Sequence, residues 1–422
     1  MYGLTTLENG LRVLTVSIPH VQSVSLGFFL DVGSRYESDA LGGASHFVEH
    51  MLFKGTEKRP SARDIAEAIE GKGGVFNAST SLETTLYWAK VAAHHAPEAL
   101  DVLSDMLLHS TFDVGELEKE RAVITEEIGY TLDAPDSLSQ VLVSQLQWPG
   151  HPLGRDIAGT KQSVAGLDRR SLLAYLARHY RPGRVVLGLA GQLDHGEGVD
   201  WARSCLSRWE PGAPAVFKPA PANHRGPELH LEYKDAEQAH LSFSFAALSR
   251  TDARRYALRL LNVILGEGMR SRLFQEVRER LGLAYSVDSY ISTLQDSGAI
   301  GIYAGVSANA AETALRAILG QLDRMRQEAV PQDELEKARE FTKGRLALAL
   351  EDSFAVASYY AHQELLAPEV VSLGELVDRY DEVEATAIME LAQELFQTER
   401  LNLAIVGPIV DDGDRFRQAL RF

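Results

Sequence analysis

The residues best placed to do chemistry by type and spacing are His46-Phe47-Val48-Glu49-His50. On a helix, positions i and i+4 share a face, so His46 and His50 can aim both imidazoles at one ion. Glu49 stands one position from His50 and three from His46, so its carboxylate lies beside that ion without having to bind it. The string is the reversed form of HExxH, the same two-histidine, one-glutamate geometry read in the opposite direction along the helix. A catalytic zinc site needs three protein ligands and an open position for water. Zinc brings the pKa of such a water to near 7, and a neighbouring carboxylate can take its proton as general base. The plainer reading of the pentapeptide is a helix with exposed histidines.

A third ligand has to come from elsewhere in the chain. The helical segment Gly115–Leu132 supplies Glu116, Glu118, Glu120, Glu126 and Glu127. Glu120 and Glu127 are two turns apart and share a face. Leu117, Val123, Ile124 and Ile128 form the expected packing stripe, with Glu120 and Glu127 along its border. A carboxylate there is partly buried and in need of a cation. The competing reading of so acidic a helix is a solvated face.

The elements that must position these residues mix strands and helices without a βαβ rhythm. Leu11–Ile18, Val21–Leu30 and Leu86–Ala92 read as strands. Ala44–Phe53, with Ser45 as a helper at its cap, Ala62–Ile69, Pro97–Leu108 and Val114–Leu132 read as helices. The second half repeats the plan: Glu228–Tyr233, His240–Ala246, Ala284–Ser292 and Ala299–Ser307 as strands, and Tyr256–Leu265 and Ser271–Leu281 as helices. The expected fold class is α+β, two homologous domains, each a largely antiparallel sheet with helices packed on one face. The repeat is visible in sequence. Glu116–Arg121 reads ELEKER and Glu334–Arg339 reads ELEKAR, and each half closes on an apolar run ending in glycine, at Gly191 and Gly407. A constant offset between matching pieces marks two copies of one fold. The proline- and glycine-dense stretch Trp209–Pro227 divides them, giving 1–208, a linker 209–227, and 228–422. At the repeat offset, Ala338 and Arg345 stand where Glu120 and Glu127 stand, and no HxxEH occurs in the second half. The second copy keeps the fold pattern and not the metal motif, so one metal per chain is expected.

The chain has 422 residues, a formal charge of −17 and a single cysteine, Cys205. That acidity works against nucleic-acid and anionic-membrane partners. One cysteine excludes an internal disulfide framework and any CxxC metal site. Hydrophobic residues at 45% and charged residues at 24% fit a soluble globular protein. No apolar run reaches the roughly 18 residues of a membrane span. The N-terminal residues do not read as a secretory signal, and the expected location is cytoplasmic.

HFVEHMLFKGT, together with the glutamate pair of ERAVITEE, resembles the inverzincin metallopeptidases of the pitrilysin, insulin-degrading-enzyme and mitochondrial-processing-peptidase group. In that family the third ligand lies seventy-seven positions past the second histidine, which implies Glu127 beside His46 and His50 as the zinc ligands. Glu120 then matches a second family glutamate that orders the site, and Glu49 matches the general base. The resemblance continues through GGVFNASTS and ETTLY. It implies that Phe76, Asn77, Ala78, Ser79 and Thr80 form a sheet edge that pairs with substrate backbone. GEGMRSRLF and EVRERLGLAYSV look like the family's substrate-holding segment, implying that Arg278 and Tyr285 contact substrate or the developing oxyanion. A zinc endopeptidase acting on short or unfolded peptides is the expectation, with a homodimer enclosing a chamber preferred and a heterodimer possible. The alternative is a non-catalytic, peptide-binding subunit or scaffold, as some members of the family are.

Overall fold

The computed structural model describes residues 2–213, 216–221, 226–410 and 413–420. Parts of the proline-rich stretch, 214–215 and 222–225, lie outside the described residues. The strands are β1 (Tyr2–Thr6), β2 (Arg12–Ser17), β3 (Ser23–Leu30), β4 (Val75–Thr80), β5 (Thr85–Ala92), β6 (Val185–Gly191), β7 (Glu228–Tyr233), β8 (Gln238–Ala246), β9 (Ala284–Thr293), β10 (Gly298–Ser307) and β11 (Leu401–Gly407). The helices of the first half are α1 (Ala44–Leu52), α2 (Ala62–Glu70), α3 (Ala96–His109), α4 (Val114–Asp133), α5 (Pro135–Gln147), α6 (Lys161–Gly166), α7 (Arg169–His179) and α8 (His195–Leu206). Those of the second are α9 (Arg255–Gly266), α10 (Ala311–Gln327), α11 (Gln332–Ala349), α12 (Ser353–Leu366), α13 (Leu373–Asp381), α14 (Ala385–Leu395) and α15 (Asp414–Ala419).

One sheet runs β1-β2-β6-β3-β5-β4 and the other β7-β11-β8-β10-β9. In the first, β2 and β6 are parallel and every other pair is antiparallel. In the second, β7 and β11 are parallel and the rest antiparallel. Strand for strand, β7, β11, β8, β10 and β9 repeat the order and direction of β2, β6, β3, β5 and β4. The duplication read from ELEKER and ELEKAR is thus a duplication of topology, and among the described residues only β1 lacks a counterpart. The two-domain α+β architecture is as expected.

The chain forms two compact units, and they are not contiguous. One comprises Met1–Gly129, Arg155–Lys218 and Ala347–Val370; the other comprises Tyr130–Gly154, Pro219–Leu346 and Val371–Phe422. The reading from the proline-rich stretch divided the chain once, at 209–227. The compact units instead take one segment each from the other half of the sequence. The reason lies in the second face of each sheet. In the first unit, one face carries Val13, Leu26, Phe28 and Leu187 against Phe47, Met51 and Leu103. Residues of alternate register, Leu14, Val16, Phe29, Val186 and Ala190, face the opposite way and are covered by Val356, Ala357 and Ala361 of α12. Burying each such aliphatic or aromatic side chain contributes about 1.5–3 kcal/mol for the larger ones, enough to recruit a helix from far along the chain. In the second unit α5 covers the corresponding face by polar pairing. Ser139 Oγ meets Ser242 Oγ at 2.8 Å, and Gln147 Oε1 accepts from Ser244 Oγ at 2.9 Å and Asn402 Nδ2 at 3.0 Å.

Candidate metal centre

Helix α1 presents the motif as its spacing requires. Phe47, Val48, Met51 and Leu52 are buried against the sheet, which leaves His46, Glu49 and His50 on the half-open face. His46 Nε2 and His50 Nε2 lie 3.3 Å apart. Glu127 Oε2, from α4, lies 3.8 Å from the first and 3.7 Å from the second. Tetrahedral ligands at about 2.0–2.1 Å from zinc are about 3.3–3.4 Å from one another. The histidine pair already has that separation, and the carboxylate is a few tenths of an ångström wide of it. Two imidazoles and one carboxylate therefore fit a zinc ion, with the Glu127 side chain 46% exposed. Among the described residues no other group of three such side chains converges. The second unit accordingly has buried Ala338 and exposed Arg345 at the matching positions.

The first ring of partners fixes the imidazoles. His50 Nδ1 meets Glu120 Oε2 at 3.0 Å, and Lys54 Nζ donates to Glu120 Oε1 at 2.6 Å. A carboxylate only accepts, so the His50 proton sits on Nδ1 and its Nε2 lone pair faces the site. Burial raises the pKa of Glu120, but Lys54 and His50 outweigh it and hold the carboxyl below its ordinary value. Burial, with a smaller contribution from His50, pushes His46 down to about 4, so its ring is neutral and its Nδ1 is buried without a hydrogen-bond partner. Glu49 is held above its ordinary value by burial, and a hydrogen bond donated by Thr80 opposes that rise.

Thr80 ends β4, the edge strand, which pairs with β5 alone. Phe76 and Ala78 turn inward, the Phe76 ring 5.5 Å from Phe53, while Asn77 and Ser79 are exposed. The outer edge of β4 has no strand partner among the described residues, and within the strand the Ala78 N–H donates to Asn77 Oδ1 at 2.8 Å. Arg278 and Tyr285 belong to the second unit. The Arg278 guanidinium lies 5.2 Å from the Tyr285 ring centre and 4.9 Å from that of Phe274, and Tyr285 is 77% exposed. The segment read as a plain helix, Ser271–Leu281, is wound as a π-helix over Phe274–Arg280.

Two local readings change. Ser45 gives no cap to α1; its hydroxyl pairs with the Tyr175 hydroxyl at 2.7 Å, and Gly43 stands at the cap position. Val123 is 43% exposed rather than part of the α4 stripe, which consists of Leu117, Ile124 and Ile128 with Glu120 buried among them. Sequence reasoning did not find Lys54, and it missed Thr80 as the partner of Glu49. Lys54 stands four residues after His50, a spacing that offered a signal. Nothing in sequence pairs Thr80 with Glu49.

The insulinase (peptidase family M16) model matches residues 12–161, and the peptidase M16 inactive domain model matches residues 166–341. Over 407 residues the chain is 40% identical to the uncharacterized zinc protease YmxG of Bacillus subtilis, covering 96% of this chain and 97% of that one. It is 37% identical to the uncharacterized zinc protease SCO5738 of Streptomyces coelicolor, covering 96% and 90%. A protease from Helicobacter pylori has the same fold, with a TM-score of 0.91 at 21% identity over 96% of this chain and 99% of the other. So does a chain of complex III2 from Candida albicans, with a TM-score of 0.85 at 21% identity over all of both chains. Among the described residues no helix is long and apolar enough to cross a membrane.

Proposed function

The chain belongs to peptidase family M16, and from that premise we propose that it is a zinc-dependent endopeptidase cleaving short or unfolded peptides. The observation that carries this reading is the convergence of His46, His50 and Glu127 with Glu49 alongside. His46, His50 and Glu127 would hold one zinc ion, which when bound would supply Lewis acidity and lower the pKa of a water toward about 7. Glu49 takes a proton from the attacking water and returns it to the leaving amine. Its raised pKa suits both halves of that transfer, and the Thr80 hydroxyl keeps its carboxylate in place. Substrate adds as a strand along Phe76, Asn77, Ala78, Ser79 and Thr80, so main-chain bonds give affinity with little demand on sequence. Arg278 and Tyr285 hold the substrate backbone or the oxyanion, a role taken from the family resemblance and supported by the guanidinium lying 5.2 Å from the ring centre of the exposed Tyr285. Because one chain carries both sets of residues, self-pairing into a homodimer with a chamber would complete two sites.

The non-catalytic reading has fold likeness on its side, since a complex III2 chain shares the architecture. Fold does not decide function. The complete ligand set with its general base favours the enzyme. Glu49→Gln tests it: the variant is expected to keep zinc and lose about 10^2–10^4-fold or more in turnover of an unstructured peptide. Wild-type turnover by the zinc-loaded variant would remove Glu49 from the mechanism.

A further inference from the structure

Glu37 lies in the loop ahead of α1 and is 3% exposed. Its Oε2 accepts the Gly43 N–H at 2.9 Å and its Oε1 accepts the Ser45 N–H at 2.7 Å. The first N–H groups of a helix have no partner within it and need an outside acceptor. Here the cap residue cannot supply one. Gly43 has φ +91, and a Cβ at that position would run into the Ala158 carbonyl oxygen. A side-chain cap from that position is therefore closed off, and the acceptor has to reach in from another segment.

The reaching side chain is itself held. Arg155 donates to the Glu37 carbonyl at 3.0 Å, to the Ser38 carbonyl at 3.1 Å and to Asp39 Oδ1 at 3.1 Å. Tyr175 closes the same helix end through the Ser45 hydroxyl. A carboxylate buried this deeply is costly unless hydrogen bonds satisfy it. Burial pushes its pKa up to about 7, while the N–H groups of Ser45 and Gly43 and the charge of Arg155 hold it down. His46 follows Ser45 directly, so the anchored peptide group is one residue from a ligand. A displacement of that first turn by a fraction of an ångström would open the 3.3 Å separation between the two imidazoles.

We propose that Glu37 is a positioning residue for the metal centre, its carboxylate capping α1 from outside the helix and so fixing His46 in ligating register. The inference rests on the zinc reading given above. The test is zinc affinity of the full chain, by competition with a chromophoric chelator at pH 8. Glu37→Gln keeps the shape but turns an amide NH2 toward one of the two N–H groups. It is expected to bind zinc about tenfold or more weakly, with its far-UV spectrum unchanged. With cobalt(II) in place of zinc its ligand-field absorption should shift from that of wild type. The control is Asp105→Asn, which alters another buried carboxylate, held by Arg59 and Thr56 at 2.6 Å each. It should leave both readouts within twofold of wild type. If Glu37→Gln does not fold, Glu37→Asp takes its place with the same expectation, since its charge ends one methylene short. A folded Glu37 variant with wild-type affinity and spectrum overturns the proposal. An equal loss in Asp105→Asn also overturns it, because the effect would then be general loosening. Wild-type protein that binds no zinc defeats the proposed function instead.

Discussion

At the scale of single residues, the centre depends on a chain of contacts in which each group fixes the next. Lys54 pins Glu120, Glu120 sets the His50 tautomer, and His50 then faces His46 and Glu127. Removing the middle member leaves His50 Nδ1 without its acceptor and Lys54 without its partner. Glu120→Ala is therefore expected to weaken zinc binding about 10–100-fold while sparing the ligands themselves. Unchanged affinity, measured by chelator competition, would show that Glu120 does not orient His50. The ligand histidines were legible because i and i+4 spacing is itself a geometric statement. Glu127 was legible only as one of several glutamates on one helix, and the family spacing selected it. The Thr80 bond to Glu49 was not legible, because it joins residues 31 apart through the packing of an edge strand on α1.

At the scale of elements, periodicity marked β2, β3, β5 and β7–β10 with helices α1–α4 and α9, most of them apolar on one face, and left β1, α5–α8 and α12–α15 without an assignment. What periodicity could not show is which helix covers which sheet. Helix α12 has no marked separation of polar and apolar faces to announce it, yet its Val356, Ala357 and Ala361 cover Leu14, Phe29 and Val186 in the first unit. A fragment ending at residue 208 lacks that cover. It should expose the second face of its sheet, bind a hydrophobic dye and aggregate, and a fusion restoring 347–370 should reverse both. A monodisperse, dye-silent 1–208 fragment would contradict the assignment of α12 to this unit. The winding of Phe274–Arg280 as a π-helix was equally hidden, since its side-chain pattern is that of an α-helix.

At the scale of the whole molecule, the two units share one topology, while among the described residues only the first brings together a His-His-Glu group. Both copies keep the strand order and direction, but Ala338 and Arg345 replace the two glutamates that the first copy needs. The second copy has no matching carboxylates and instead carries the half-buried Arg278 beside the exposed Tyr285. A homodimer predicts twice the chain mass of 46.4 kDa by light scattering at concentrations where the enzyme is active. A concentration-independent monomer with full activity would remove the chamber from the proposal.

We propose that this chain hydrolyses peptides with a metal held by His46, His50 and Glu127. This is tested most directly on one purified sample, by zinc per chain from elemental analysis and cleavage of an unstructured peptide before and after chelation. Close to one zinc per chain is expected, with cleavage lost to the chelator and restored by added zinc. Failure to bind metal even after reconstitution, or cleavage indifferent to the chelator, would contradict it.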